Sequence, residues 1–431
     1  MIITELQQLY ATHPNVEGMC KLLKDNSVRH LYCSGLCASA ASLFSSVLVQ
    51  RAECPFVFIL GDLEEAGYFY HDLTQILGTG QVLFFPSSFR RAIKYGQKDA
   101  ANEILRTEVL SRLQKGEEGF CVVTYPDALA EKVVSRKELG DKTLKLHAGE
   151  KVDMDFVTEV LRSYGFEYVD YVYEPGQYAV RGSIIDVFSF SSEFPFRIDF
   201  FGDEVESIRT FEVESQLSKE KKEEIVIVPD LSRSLEQGGN GGMVSFLDFL
   251  RPDTLLAMRD FLWLRERIQV VHDESLTAQA IAACEAEENG AISLEGKLID
   301  GGEFTLRALD FRRMEFGTKP TGTPDATISF HTTVQPIFHK NFDMVAESFR
   351  EYLSRHYTIY ICSDSLKQTD RIRAIFEDRG DNISFTAVER TLHEGFADDT
   401  LRICVFTDHQ LFDRFHKYNL KSDKARSGKV A

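Results

Sequence analysis

An α/β fold with a parallel sheet is the class this sequence predicts, from the way short apolar runs alternate with helix-length segments. "FVFIL" (56–60), "QVLFF" (81–85) and "FCVVTY" (120–125) are apolar on both faces, as strands covered on both sides must be. Between them lie amphipathic stretches such as "KDAANEILRTEVLSRLQKG" (98–116), long enough to be crossover helices. A third observation limits the arrangement: 431 residues are too many for one core, so two to four domains are expected.

In chain order, the first unit is expected over 1–140. A second begins near "DKTLKLHAGEKV" (141–152) and runs to 216. There "DMDFVTEVLRSYGF" predicts a helix with Asp153 before it, Gly165 as its stop, and Phe156, Val160 and Tyr164 on one face. The pattern then turns antiparallel: "GSIIDVF", "PFRIDFF" and "VESIRTFEV" are joined by the turn-rich "SFSSEF" and by "GD". From "EIVIVPD" (224–230) α/β character is expected to return, interrupted by "SLEQGGNGG", so that 217–323 completes the first unit. "GTKPTGTPDAT" (317–327) reads as a linker to a last α/β unit, 324–431, whose end, "KYNLKSDKARSGKVA", has the look of another linker.

Composition excludes several classes. The net charge of −18, with no basic tract, is unsuited to binding nucleic acid by neutralising phosphates, so a protein partner is the better expectation. No apolar run approaches the ~20 residues of a membrane span, and "MIITELQQLY" is not a signal peptide, so a cytoplasmic, membrane-free protein is expected. The eight cysteines (20, 33, 37, 54, 121, 284, 362 and 404) show no metal-ligand spacing and read as reduced core thiols. His331 and His339 lack a convincing metal partner and read as surface or loop residues.

"HLYCSGLCASAASLF" (30–44) has the outline of a phosphate-binding loop, G-x-x-x-x-G-K-[ST], on a strand-to-helix turn. Gly35 opens it. Ala40 then stands for the second glycine, Ala41 for the lysine and Ser42 for the magnesium-binding hydroxyl. Without the lysine a charge-assisted contact of about 1.5–3 kcal/mol is lost, and Ala40 puts a methyl group where backbone must bend. The loop is therefore expected to be a degenerate nucleotide site, with weak anion binding at the helix N-terminus as one alternative and plain helix packing on the sheet as the other.

The segment "YEPGQYAVRGSIIDVFSFSSEFPFRIDFFGDEVESIRTFEVESQLS" (173–218) resembles the signature shared by the excision-repair protein UvrB and the N-terminal part of the Mfd family of transcription-repair coupling factors. The resemblance implies a degenerate, helicase-like P-loop domain carrying an inserted small α+β domain that docks UvrA. UvrB itself would need a working P-loop and a tyrosine-rich hairpin. Here only Tyr95 lies in the expected region, and the position of the acidic magnesium motif falls on Arg259 and Asp260. "HDES" (272–275) lies in a helix-like stretch and reads as a decoy. The chain is thus identified as the N-terminal half of a member of the Mfd family, non-catalytic by itself, with no cofactor. The resemblance further implies that ATP and magnesium serve motor domains beyond residue 431, and that RNA polymerase and DNA are also contacted there.

Within the inserted domain, period-two alternation sends Phe196, Ile198 and Phe200 to one face and Arg197, Asp199 and Phe201 to the other. The family's UvrA-contacting residues fall on Arg181, Arg197 and Phe201. Gly176 and Gly182 are expected at turns or bulges, and Asp186 in a structural role. An arginine paired only with Asp199 or Glu206 on a solvated face would be the bland alternative, worth about 0–1 kcal/mol. Two other functions stay open at this point: an active UvrB-like damage verifier, and a scaffold for a different partner. The last domain is expected to be a spacer.

Overall fold

The computed structural model describes residues 1–88, 100–231, 242–275 and 296–418. Tyr95, "SLEQGG", Cys284 and most of "KYNLKSDKARSGKVA" lie outside them.

Seven strands form the central sheet in the order 326–329, 30–34, 312–315, 255–258, 56–59, 121–124, 82–84, every neighbouring pair parallel. The strands Phe56–Ile59, Cys121–Thr124 and Leu255–Met258 are buried along their whole length, which is why their sequences show no alternation. The helix Ser39–Arg51 lies against the sheet with its first ten residues buried. Its serines and alanines let it sit close, and Ser46 accepts a hydrogen bond from Gln7 at 3.1 Å.

The inserted domain is built on a six-stranded sheet ordered 218–222, 204–211, 196–201, 184–187, 177–181, 167–168, antiparallel except for its last pair. The two hairpins at its centre turn on two residues each: Arg181 pairs with Ile184 across Gly182 and Ser183, and Phe201 with Glu204 across Gly202 and Asp203. Gly202 adopts φ 62°, a conformation that a tight hairpin requires and that glycine takes at little steric cost. The helix Met154–Ser163 is capped by Asp153, which accepts from the Phe156 amide at 2.7 Å, and ends before Gly165 at φ 79°.

Three expectations need correction. The buried face of Met154–Ser163 is Val157 and Leu161, while Phe156 is exposed. Starting the apolar count one residue later gives the i, i+4 pair that meets the sheet. The antiparallel sheet continues past 216 to Lys222, and Glu224–Ile227 pairs with Leu144–His147 at the base of the same domain instead of starting a return to the first unit. Its alternating burial is that of a strand with one wet face. Finally, Ala326–Ser329, taken for the start of the last unit, is an edge strand of the central sheet beside His30–Ser34. The Pro/Gly-rich stretch before it is a connection within the first unit.

The last unit is a five-stranded sheet ordered 332–334, 396–398, 403–407, 358–363, 386–389, with helices Phe342–Ser354 and Leu366–Asp378 packed on Thr358–Ser363. The seven cysteines among the described residues are all thiols, without a disulfide. Burial pushes the Cys33 and Cys121 thiols up to about 12, so both stay protonated and unreactive at neutral pH. His331 and His339 are exposed, as expected.

Candidate functional site: an arginine row on the inserted domain and a filled loop on the first

The strand Phe196–Phe201 separates its two faces as period two requires. Phe196, Ile198 and Phe200 are buried in the domain core, and Phe201 is 77 % exposed at the hairpin end. Arg197 points to the same side as Phe201 but is not free on it. Its side chain is only 18 % exposed, because it is clamped in two-pronged fashion by Asp186, Nε to Oδ1 at 2.9 Å and Nη2 to Oδ2 at 3.1 Å. A further Nη1–H donates to the Gln216 carbonyl at 2.9 Å, and the guanidinium lies over the Phe211 ring at 4.4 Å. The pairing with Asp199 or Glu206 considered from sequence is replaced by this buried bond across the sheet.

Asp186 is 0 % exposed and also accepts from Arg181 Nη2 at 2.5 Å. Arg181 stays 43 % exposed and lies over the ring of Tyr171, itself exposed. One buried carboxylate therefore fixes the direction of two guanidinium groups, each backed by an aromatic ring. Planar guanidinium donors suit this two-pronged geometry, and a lysine would not reproduce it.

The strand register adds residues that motif reading missed. Arg197 pairs with Arg209 on one side and Asp186 on the other, and Arg209 pairs with Lys221. Cross-strand partners point to the same face, so Lys221, Arg209 and Arg197 form a basic row that ends on Asp186. Exposed Tyr168, Tyr173 and Leu217 add apolar area to the domain. Counting from the turns would not have found Arg209 and Lys221: a register shift between Asp199 and Phe200 brings Arg209 opposite Arg197, and Lys221 lies on a strand outside both hairpins.

On the first unit, the loop after His30–Ser34 does curl into a helix, and Gly35 adopts φ 74°. A β-carbon there would meet the Phe330 carbonyl at 2.1 Å. The last unit occupies the loop. Cys37 N donates to Thr332 Oγ1 at 3.0 Å, and Ser39 N to the Glu394 carbonyl at 3.1 Å. Ala40 N and Ala41 N bond to the Cys37 and Ala38 carbonyls. The Ser39 and Ser42 hydroxyls donate to Asp72 Oδ2 at 2.7 and 2.9 Å, the Glu394 amide donates to Ser39 Oγ at 3.0 Å, and the His393 amide to Asp72 Oδ1 at 2.8 Å.

Arg259 follows Leu255–Met258 directly and donates to Glu65 at 2.5 Å, while Asp260 accepts from the Trp263 amide at 3.1 Å, capping the next helix. Burial raises the Glu394 carboxyl above its usual range, and the Arg259 charge partly offsets this. "HDES" forms the end of the helix Phe261–Ser275.

The sequence pattern of the UvrB interaction domain matches residues 144–232, spanning the six-stranded sheet and the strand at its base. Over 474 aligned positions the chain is 21% identical to the transcription-repair-coupling factor of Staphylococcus aureus strain bovine RF122 / ET3-1, covering 91% of this chain. The chain is similar to the transcription-repair-coupling factors. The Escherichia coli K12 factor is 29% identical over 196 residues, 45% of this chain, and the Bacillus subtilis 168 factor 28% identical over 229 residues, 51% of it. The chain spans 17%, 19% and 39% of the lengths of the Escherichia coli, Bacillus subtilis and Staphylococcus aureus factors. Among the described residues no helix is long and apolar enough to cross a membrane.

Proposed function

We propose that this chain is the recruitment half of a transcription-repair coupling factor, and that its inserted domain docks UvrA through Arg181, Arg197 and Phe201. One observation carries the reading: a phenylalanine left 77 % exposed at the end of a strand that carries on the same face an arginine locked in place by a fully buried aspartate. Aromatic and arginine side chains held rigid before binding lose little entropy on association, which is the character of interface hot spots. The match of residues 144–232 to a UvrB interaction domain supports the same partner. In the whole protein, polymerase displacement by an ATP-driven translocase would belong to regions outside this chain. The inserted domain, 141–216 by sequence pattern, would be the adaptor between that motor and the repair machinery.

Titration calorimetry of the chain against UvrA tests this. Phe201→Ala and Arg181→Ala are each expected to weaken binding by about 2 kcal/mol or more, roughly thirtyfold, with the thermal midpoint nearly unchanged. Asp186 keeps its two-pronged bond to Arg197 when Arg181 is truncated, so lost binding in a domain that stays folded would reflect the interface. No binding by the wild-type chain, or full binding by both variants, would remove UvrA as the partner.

We further infer that the loop at Gly35, Ala40, Ala41 and Ser42, with Arg259 and Asp260 at the neighbouring strand end, is a nucleotide site whose chemistry has been replaced. The loop amides that would wrap phosphates donate to Thr332, Glu394 and the loop's own carbonyls, and Arg259 stands where a magnesium-binding carboxylate is needed. Equilibrium binding of a fluorescent ATP analogue is expected to show no saturation at millimolar nucleotide. Saturable, magnesium-dependent binding that is lost on mutating Ser42 would favour a UvrB-like ATPase instead.

A further inference from the structure

Where the last unit meets the helix Leu63–Leu77, four histidines from separate segments converge. His71 comes from that helix, His393 from the loop that fills the Gly35 site, His409 from the short helix Asp408–Leu411, and His416 from the chain just after it. His393 Nδ1 and His416 Nδ1 are 3.0 Å apart, and one ring nitrogen from each of His393, His409 and His416 lies within 4.8 Å of the other two. His71 packs edge-on against His416 with ring centroids 4.9 Å apart. It is 9 % exposed, and its Nδ1 is buried without a hydrogen-bond partner.

We propose that His393, His409 and His416 form a binding site for a divalent transition ion of the zinc class, with His71 as a candidate fourth ligand, joining the last unit to the first.

Ligand chemistry supports the assignment. Neutral imidazole is a favoured donor for zinc, and a tetrahedral ion with Zn–N about 2.0–2.1 Å holds its nitrogens roughly 3.3 Å apart. The His393–His416 pair is already near that spacing, and the third nitrogen has at most about 1.5 Å to move inward from the 4.8 Å within which all three lie. His409 Nε2 lies 2.6 Å from the His393 carbonyl. An N–H donated there leaves Nδ1, which lies 3.7 Å from Asp408 Oδ1, with the lone pair, and a carbonyl partner of this kind orients a metal-bound histidine. The Asp72 carboxylate sits beside the cluster, 3.7 Å from His71 Nδ1, and anchors the His393 amide.

Without an ion, the short Nδ1–Nδ1 contact requires one ring to carry its proton on Nδ1. Binding moves that proton to Nε2 of the same ring, so this pair releases no net proton. Rearrangement is required: the three rings are near-parallel, tilted 11° between His409 and His416, 19° between His393 and His416 and 16° between His393 and His409, and rings in separate parallel planes cannot aim their lone pairs at one ion, so two of the three must turn. His393 and His416 both lie outside the regular elements and are the rings free to turn toward His409.

The test is titration of the full chain, purified without a polyhistidine tag, with zinc chloride by calorimetry and with cobalt chloride by visible absorption. One equivalent of each should bind, cobalt giving the intense bands of a tetrahedral site, and zinc should raise the thermal midpoint. His409→Gln with His416→Gln should abolish the single high-affinity equivalent and the midpoint rise while leaving the metal-free midpoint close to that of wild type. His71→Gln, which leaves the other three, should weaken zinc binding about tenfold or more. No stoichiometric binding by the wild-type chain, or unchanged binding in the double variant, would overturn the site and leave a stacked histidine ladder.

Discussion

Asp186→Ala is expected to destabilise the inserted domain by about 3–5 kcal/mol, the cost of breaking a buried ion pair from one side. The carboxylate is fully buried and takes three hydrogen bonds from two arginines. Arg181 can turn to water when the partner goes. Arg197 cannot, because Phe211 and the Gln216 carbonyl hold it in place, so its charge is stranded. Removing both members, Asp186→Ala with Arg197→Ala, should recover part of the loss, since no uncompensated charge remains. Chemical denaturation followed by the domain's tyrosine fluorescence measures all three variants. Asp186→Ala melting within 1 kcal/mol of wild type would show that the pair does not hold the sheet face together. The same variant should also lose UvrA binding beyond the fraction unfolded, because both guanidinium groups lose the carboxylate that orients them, whereas Phe201→Ala loses binding without losing stability. That separation distinguishes the residue that positions the surface from those that form it.

The sequence carried the alternation of Phe196–Phe201 because a strand with one dry face writes its burial directly into period two. The parallel sheet was legible for a different reason, its strands being apolar on both sides. Asp186 was harder. A lone acid between Ile185 and Val187 looks like any outward residue of an alternating strand, and its burial follows from arginines supplied by neighbouring strands, one of them eleven residues away. The edge strand Ala326–Ser329 was misassigned because proline and glycine mark a break in regular structure but not which unit the chain rejoins. The filled loop at Gly35 could not be read at all. Its occupants, Thr332 and residues 393–394, are some 300 residues or more away, and neither has a motif that names the loop as its target.

That filled loop gives the second large effect, from Asp72→Ala. Asp72 is buried and accepts from the Ser39 and Ser42 hydroxyls and the His393 amide, so it ties the helix Ser39–Arg51 to the last unit through Leu63–Leu77. Hydrogen bonds to a charged group contribute about 1.5–3 kcal/mol each, but two of these three donors can find water or the loop carbonyls on relaxing, so a net loss of about 3 kcal/mol is expected. Amide exchange should reveal it first at residues 391–394 and at the start of Ser39–Arg51, ahead of the central strands. Glu394→Gln should act in the opposite direction. The loop bond is made by its backbone carbonyl and amide, which the substitution keeps, while burial raises the carboxyl's pKa, so the folded state holds its proton more tightly than the unfolded chain does. By linkage, that contribution is complete below the ordinary glutamate range and is lost as pH rises through the folded value. The stabilisation by Glu394→Gln should therefore be absent near pH 4 and grow toward pH 7. A gain that shrank over the same interval would mean that the Arg259 charge dominates burial at Glu394, and that the last unit is held on the loop by an ion pair instead of by its backbone.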